Sequence, residues 1–393
     1  MIARVYLLLL LLIVLPDLYL DLHYLRHKKG FPLWKRLLWW LPGLVMLVYT
    51  SVLALSRNFI PDDIAYIDWF FYLFAVLVVP KAIYAFCSFL GWRHCVFHHT
   101  HHNWGNLIGF LLGITSLFVF FYGLTWGFSR LEVKHVEVYV DHLPETFEGY
   151  RIVHFSDAHV GTLVGRRAWM IRRDIDSVNA QKADMICFTG DLQNIQPSEL
   201  YPFIGELKRL HAPDGVYSVL GNHDYSYYIH ADPAVEAANE REVQSRERQF
   251  GWTLLMNEHR PVVRGRDSII VAGTENAGKP NYADYEKALA GVSKGQFVLM
   301  LQHDPKEWEA TIAEHNKHVA PQLTLCGHTH AGQLSLFGLR PTMLGYHYDY
   351  GLHEKSGNSL YVTSGLSGVV PFRFGASAEI AVITLHKKYP QTK

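Results

Sequence analysis

Gly221-Asn222-His223-Asp224 is the stretch that decides how the second half of the chain is interpreted. It follows the apolar run VYSVL at residues 216–220, and an apolar run that ends in a glycine predicts a strand followed by a tight loop. The loop carries an amide oxygen, an imidazole and a carboxylate in succession, which are groups that bind metal ions or transfer protons.

Similar polar clusters follow four other short apolar runs. They are Ser156-Asp157-Ala158-His159, Gly190-Asp191-Leu192-Gln193-Asn194, Gln302-His303-Asp304-Pro305 and Gly327-His328-Thr329-His330. Amphipathic stretches separate the runs, and this alternation is typical of an α/β domain, which we expect to span residues 150–386. Ligand sites in open α/β sheets form at the carboxyl ends of strands, so the five loops are expected to meet.

Together the five loops predict a site for two metal ions. Two divalent cations about 3.5–4 Å apart can bridge a hydroxide and hold a phosphoryl group for in-line attack. Neutral imidazoles with carboxylate and amide oxygens suit such ions, and this mixed donor set is compatible with Mn, Fe or Zn. His328 and His330 are two residues apart, so in an extended loop each could reach a different ion.

The order of the five clusters resembles that of the calcineurin-like metallophosphoesterase superfamily, over about residues 150–385. The tail segments YVTSGL (361–366), PFRF (371–374) and AEI (378–380) are similar to a bacterial branch with membrane-associated members. The resemblance implies a four-layer α/β fold of two packed mixed β-sheets flanked by helices. It also implies hydrolysis of a phosphoester or pyrophosphate bond by a hydroxide that bridges two divalent metal ions.

The same resemblance implies a role for each site residue. Seven side chains would bind the ions, with Asp191 as the bridge: Asp157, His159 and His330 on the first ion, and Asn222, His303 and His328 on the second. His223 would lie beside the substrate, where it stabilises the transition state or protonates the leaving oxygen. Asp224 would orient His223.

Other residues near these loops keep two interpretations each. Arg373 is expected to contact a phosphate or to form a surface salt bridge, and Asp304 is expected to cap or orient rather than to bind metal. Two aromatic clusters are expected either to line the substrate entrance or to pack locally: Tyr225, Tyr227, Tyr228 and His230, and Tyr346, Tyr348 and Tyr350.

Residues 1–128 are far more apolar than the remainder and predict a transmembrane bundle of four helices. A helix that crosses a bilayer needs about 20 mostly apolar residues, and residues 2–20, 37–55, 66–90 and 107–126 meet this length. Lys81 lies inside the third segment and is expected to snorkel towards the interface rather than to face a polar cavity. The following loop holds a run of histidines that is either a metal site or a partly charged interfacial loop: His94, His98, His99, His101 and His102.

The basic residues of the loops predict the orientation of the spans. The first loop carries five of them, Arg26, Lys28, Lys29, Lys35 and Arg36. The second loop offers only Arg57 against Asp62 and Asp63. The positive-inside rule therefore puts the first loop in the cytoplasm, and four spans then put the catalytic domain on the extracytoplasmic side. Residues 129–149 form a short link with a first strand and no flexible spacer, so this domain is expected close to the membrane.

Composition limits the partners. Lys+Arg and Asp+Glu both number 36, so charge gives no argument for nucleic-acid binding, and the four cysteines form no CxxC motif. The sequence predicts a membrane-anchored dinuclear phosphoesterase, with a phosphorylated small molecule or a lipid-linked phosphate as substrate. Two alternatives stay open: a broad phosphodiesterase on soluble substrates, and a non-catalytic membrane protein that binds or senses phosphate.

Overall fold

The chain forms two compact units, Met1–Thr125 and Trp126–Lys393. The computed structural model describes residues 2–56, 64–315 and 319–388. Arg57, Asp62 and Asp63, the charged residues of the second predicted loop, lie outside the described residues. Residues 129–149, expected as a link, include a strand that belongs to the sheet structure of the second unit.

The first unit consists of apolar helices. Their bounds are α1 (Tyr6–Leu20), α2 (Leu33–Leu55), α3 (Ile64–Leu77), α4 (Val79–His98) and α5 (Trp104–Tyr122). Together with short flanking turns they make four stretches long and apolar enough to cross a membrane: Ile2–Leu25, Leu33–Leu55, Ile64–His98 and Trp104–Gly127. The prediction of four spans is confirmed. The third is longer than predicted because α4 continues to His98, so His94 and His98 lie on a helix rather than in a loop.

Lys81 does not snorkel, so that prediction is wrong. Its Nζ lies 2.7 and 2.9 Å from the two carboxylate oxygens of Asp17, which is fully buried on α1. An ammonium ion within an apolar span is stabilised by a carboxylate on a neighbouring helix, and charged pairs inside spans are usually arranged in this way. Gly43 on α2 leaves room for the pair, since a Cβ there would lie 2.2 Å from an Asp17 oxygen.

The second unit holds two six-stranded sheets. Its strands are β1 (Leu131–Val140), β2 (Tyr150–Phe155), β3 (Met185–Phe188), β4 (Val216–Ser218), β5 (Thr253–Leu254), β6 (Glu258–Arg264), β7 (Asp267–Gly273), β8 (Val298–Leu301), β9 (Leu323–Cys326), β10 (Gly351–Lys355), β11 (Asn358–Val362) and β12 (Ala378–Lys387). Its helices are α6 (Val160–Leu163), α7 (Trp169–Ala180), α8 (Ile204–Leu207), α9 (Pro233–Gln249), α10 (Tyr285–Ala288) and α11 (Trp308–His315).

Both sheets are mixed. The first has the order β1-β12-β2-β3-β4-β5 and the second the order β10-β11-β9-β8-β7-β6. Strands β2, β3 and β4 run parallel to one another, and so do β7, β8 and β9. The parallel strands of each sheet therefore bring their carboxyl ends to a common edge, which is the arrangement the five polar loops require.

The two sheets pack face to face, and helices cover their outer faces. Along β3, the side chains of Met185 and Cys187 enter the core between the sheets, while Ile186 and Phe188 pack against the helical side. This alternation follows from the two-residue period of a strand. On the second sheet, Ile270 and Val298 pack outward in a separate cluster with Leu289. The predicted four-layer fold is confirmed.

Candidate metal centre

The five polar loops follow β2, β3, β4, β8 and β9 directly. Five of their site residues have positive φ angles: Asp157 (52°), His159 (39°), Asp191 (60°), His328 (71°) and His330 (53°). Residues other than glycine seldom occupy this left-handed region, and where they do they cluster at functional sites that impose the conformation.

Two glycines allow the loops to approach one another closely. A Cβ on Gly221 would lie 2.2 Å from Oδ1 of Asp191, and a Cβ on Gly327 would lie 2.3 Å from Oδ2 of Asp157. Both distances are far shorter than real carbon–oxygen contacts, so no larger residue fits. The glycines of the predicted motifs therefore serve to bring backbone against the site carboxylates.

One group of candidate ligands consists of Asp157, His159 and His330, whose ligand atoms lie within 4.8 Å of one another. Nε2 of His330 is 3.5 Å from Oδ1 of Asp157, and the rings of His159 and His330 have centroids 5.2 Å apart. Nε2 of His159 is also 3.5 Å from Oδ2 of Asp191. Three loops of the first and second sheets thus converge on this point.

A second group consists of Asp191, His303 and His328. Nε2 of His303 lies 3.1 Å from Oδ2 of Asp191 and 3.1 Å from Nδ1 of His328. Asp191 is therefore adjacent to both groups, and His328 and His330 fall into different ones. A third overlapping group joins His159, Asp191 and His223. Among the described residues, no histidine between 94 and 102 belongs to such a group.

Two buried atoms at this point have no hydrogen-bond partner among the described residues. They are Nε2 of His159 and Oδ1 of Asn222. The amide nitrogen of Asn222 donates to the hydroxyl of Tyr228 at 2.9 Å, which leaves the Asn222 oxygen free for another ligand. Buried polar atoms normally have partners, and both atoms are lone-pair donors. The residues present therefore fit divalent cations.

Oxygen acceptors fix the imidazole rings from behind. Nδ1–H of His303 donates to the carbonyl of Thr189 at 2.6 Å, that of His330 to the carbonyl of Ser367 at 3.2 Å, and that of His159 to Oδ1 of Asn194 at 3.1 Å. A ring that donates from Nδ1 keeps its Nε2 lone pair available for a metal. Backbone carbonyls have no sequence signal, so the supports of His303 and His330 could not be found from the motifs, whereas Asn194 belongs to the polar loop after β3.

Burial and charge set the protonation of the site. Burial lowers the pKa of His159 to about 3 and that of His330 to about 4, so both rings are neutral at pH 7. Burial also opposes the charged form of His303, but the Asp191 carboxylate beside it raises the pKa of His303 to about 10. Burial would raise the pKa of Asp191, yet His303 and His223 hold it well below its usual value. The site is thus built around ionised carboxylates that require positive charge.

The sequence predicts that Asp224 orients the ring of His223, but the Asp224 side chain binds backbone groups instead. Its carboxylate accepts four backbone N–H bonds: Oδ1 from Leu192 (2.9 Å) and Gln193 (3.3 Å), and Oδ2 from Asp191 (2.8 Å) and Gly221 (2.9 Å). The His223 ring instead donates from Nδ1 to the carbonyl of Asn194 at 2.6 Å. The orienting group for His223 is therefore that carbonyl, and Asp224 holds the backbone of the Asp191 loop.

Arg373 takes neither of its two expected roles. It is fully buried, and its guanidinium donates to the carbonyls of Ser364 (2.7 Å), Ser367 (2.5 Å) and Ala376 (3.2 Å), among others. Since Ser367 also supports His330, Arg373 stabilises the loop behind the site. Asp304 caps its loop as predicted, because its side chain accepts from the N–H of Lys306 at 2.9 Å.

The aromatic clusters divide between the two interpretations. Tyr228 packs on His223 with ring centroids 4.6 Å apart, and Tyr346 lies 5.9 Å from His328 with the Lys306 ammonium over its ring. These two tyrosines adjoin the site. Tyr350 does not adjoin the site: its hydroxyl donates a hydrogen bond to the Glu379 carboxylate, so this side chain packs locally.

Two family models match the chain. Residues 150–332 match "Calcineurin-like phosphoesterase", and residues 3–128 match "Probable Calcineurin-like phosphoesterase, transmembrane domain". The second match and the four apolar spans identify an integral membrane protein.

Curated relatives support the same family. The metallophosphoesterase YkuE of Bacillus subtilis is 30% identical over 274 residues, 66% of this chain and 89% of the relative. A Helicobacter pylori J99 metallophosphoesterase is 28% identical over 292 residues, 72% of this chain and 70% of the relative. A Danio rerio transmembrane protein with a metallophosphoesterase domain is 30% identical over 275 residues, 67% of this chain and 59% of the relative. The chain belongs to the calcineurin-like metallophosphoesterase family and joins its phosphoesterase domain to four membrane-spanning helices.

Proposed function

We propose that the protein hydrolyses a phosphoester or pyrophosphate bond at a centre that holds two divalent cations, Mn, Fe or Zn. The observation that carries the proposal is the pair of neighbouring ligand groups, in which Asp191 belongs to the second group and its Oδ2 lies 3.5 Å from Nε2 of His159 in the first. Seven residues would hold the ions: Asp157, His159 and His330 for one, Asn222, His303 and His328 for the other, and Asp191 for both. When bound, such a pair of ions lowers the pKa of water and withdraws charge from phosphoryl oxygens.

The chain itself positions the ligands and moves a proton. Asp224 holds the loop of Asp191 through four backbone donors, so the shared carboxylate has one orientation. We assign His223 as the catalytic residue on the substrate side, where its Nε2 gives a proton to the leaving oxygen as the bond to phosphorus breaks. The Asn194 carbonyl keeps the other ring nitrogen protonated, and this fixes Nε2 as the atom that exchanges the proton.

The substrate that we propose is a lipid or a lipid-linked phosphate, because the catalytic unit follows the last apolar span with only a short connection. The five basic residues between the first two spans support an extracytoplasmic position for this unit. Protease accessibility of the catalytic unit in intact cells tests the side. Digestion only after the cells are opened would contradict it.

Turnover of membrane lipid extracts and of soluble diesters by the detergent-solubilised chain, loaded with Mn²⁺, tests the reaction. The substitution His223→Gln is expected to lower kcat about 10²–10⁴-fold without loss of bound metal, because the proposed role of the His223 ring is to transfer a proton and not to hold an ion. His211→Gln, at an exposed position, is the matched control. Turnover of soluble diesters alone would favour a broad phosphodiesterase, and phosphate binding without turnover would favour a sensor.

A further inference from the structure

Residues 336–344 (LFGLRPTML), here called the apolar loop, expose five large hydrophobic side chains within nine positions. The exposed fractions are 105% for Phe337, 95% for Leu344, 70% for Leu339, 49% for Met343 and 47% for Leu336. Single exposed hydrophobic residues are normal on a soluble surface, whereas a contiguous group marks a surface that contacts a protein or a membrane.

The apolar loop has a defined shape. Leu336 and Leu339 exchange two backbone hydrogen bonds of 3.0 and 2.9 Å, which close a tight turn around Phe337. The guanidinium of Arg340 binds the Asp349 carboxylate through two hydrogen bonds of 2.6 and 2.9 Å. The one cation of the loop is therefore neutralised by a neighbour, while the apolar side chains point away from the unit's own core.

The apolar loop lies at the same edge of the unit as the candidate metal centre. It begins six residues after His330, and Ser335 N–H donates to the carbonyl of Phe374 at 2.7 Å. The strand that follows Phe374 is β12, and the backbone N–H of Glu379 near its start donates to the carbonyl of Gly365 at 3.0 Å. A Cβ on Gly365 would lie 2.6 Å from Cβ of Asp157, so this edge adjoins the site carboxylates.

The chain also enters the unit at that edge. β12 runs antiparallel to β2, so its first residue lies at the end where β2 delivers Asp157. β1 runs parallel to β12 and pairs Leu131 with Ala378, and Ala378 N–H donates to the carbonyl of Arg130 at 3.1 Å. The last apolar span ends at Gly127, only a few residues before Leu131. This edge, and not the opposite one, is therefore the edge at which the chain passes from the last span into the unit.

A second group of exposed residues adjoins the entry point. Val164 and Trp169 are exposed, and they flank Arg166 and Arg167. The Arg167 guanidinium lies 5.7 Å from the ring centroid of Phe128, directly after the last span. Tryptophan beside arginine is the composition found at the level of lipid head groups, where anionic lipids attract the cations.

We propose that this edge is a bilayer-contact surface, in which the apolar loop inserts among acyl chains and the Val164–Trp169 segment contacts phosphate head groups. The surface presents the metal centre to the phosphoester of a membrane lipid. This second part rests on the proposed hydrolytic function, whereas insertion of the apolar loop does not. The occupant is lipid rather than protein, because the apolar loop lies on the edge of the unit at which the chain leaves the last span.

Site-specific labelling of the full chain in lipid nanodiscs tests insertion. Cys87→Ser and Cys95→Ser remove the partly exposed thiols, and Cys187 and Cys326 are buried. An environment-sensitive fluorophore is then attached through Phe337→Cys. The matched control is Lys294→Cys, an exposed position just before β8 and hence at the opposite edge.

Nanodiscs of phosphatidylcholine and phosphatidylglycerol, with and without a spin-labelled lipid, give the readout. We expect strong quenching and a blue-shifted emission at position 337 and neither at position 294. Equal quenching at the two positions would overturn the proposal. A blue-shifted emission at position 337 that increases with protein concentration and does not respond to the spin-labelled lipid would also overturn the proposal. That result would mean that a second copy of the chain covers the apolar loop.

Kinetics test the presentation of lipid substrates. The quantity measured is the rate of turnover of a phospholipid in vesicles divided by the rate of turnover of a soluble diester. The double substitution Phe337→Asp and Leu344→Asp is expected to lower this ratio about tenfold. Val263→Asp, an apolar-to-acidic change at an exposed position on β6, is the control and should leave the ratio unchanged. An unchanged ratio in the double variant would overturn this part. If the wild-type chain hydrolyses neither substrate, the proposed function fails, and the quenching result still decides insertion.

Discussion

Replacing Asp224→Asn separates the two roles that can be given to this residue. Each carboxylate oxygen accepts two backbone N–H bonds, so an amide of the same shape must turn its NH₂ group towards two of the four donors. Two buried donors then lack an acceptor, whichever way the amide points. An unsatisfied buried donor costs about 1–3 kcal/mol, which predicts a loss of about 2–6 kcal/mol in the free energy of unfolding.

Thermal unfolding of the detergent-solubilised chain at pH 8 measures this loss. The pH matters because burial and the neighbouring Asp191 raise the pKa of Asp224 to about 7, and the wild-type group must be ionised. A loss of this size should lower the Tm of the catalytic unit by roughly 5–20 °C. Bound metal should fall as well, since the displaced backbone carries Asp191.

Asp232→Asn is the matched control. Asp232 caps α9 at its amino end by accepting a 2.8 Å bond from Ala234, and asparagine caps helices about as well, so stability should change by less than about 0.5 kcal/mol. If Asp224 serves only to orient His223, Asp224→Asn will reduce kcat and leave both Tm and metal content at wild-type values. That result would refute the role derived from the backbone contacts.

Two further predictions concern buried charge. Lys81→Met should lower the free energy of unfolding in detergent by about 3–5 kcal/mol because Asp17 loses its partner. Adding Asp17→Leu should restore most of this loss. If the two substitutions instead lower stability additively, the pairing is contradicted. Burial lowers the pKa of His154 to about 3 from 6.5, so only the unfolded chain takes up this proton below pH 6.5, and the stabilisation present above that pH is lost progressively as pH falls. Between pH 7 and pH 5 this proton uptake lowers the free energy of unfolding by about 2 kcal/mol. Tm measurements over this pH range should show the loss in the wild-type chain and not in the His154→Gln variant. Parallel pH profiles of the two chains would contradict the prediction.

The parts of the fold that could be predicted from the sequence are those encoded locally. Apolar runs of four or five residues ending in glycine and polar residues predicted the strands and the loops after them. Parallel strands bring their carboxyl ends together, so the convergence of Asp157 and Asp191 after two strands of one sheet needed no further information. The apolar spans were predictable for the same reason, since length and composition suffice.

What could not be predicted depends on contacts between distant backbone groups. The four donors to Asp224 and the carbonyl that holds His223 are main-chain atoms, which every residue type carries. Burial of Arg373 follows from carbonyls gathered by a loop, and the pairing of Lys81 with Asp17 depends on which helices are neighbours. Exposure of Phe337 is likewise a tertiary property, because the residue type alone predicts burial.

The metal content of the purified full-length chain tests the central claim most directly. The ligand groups on either side of Asp191 predict about two divalent cations per chain by elemental analysis, and less than about one after Asp191→Asn, because both ions lose a ligand. Asp176→Asn, at an exposed position on α7, should keep the wild-type content. An active chain that binds a single ion, or one whose metal content is indifferent to Asp191, would contradict the account.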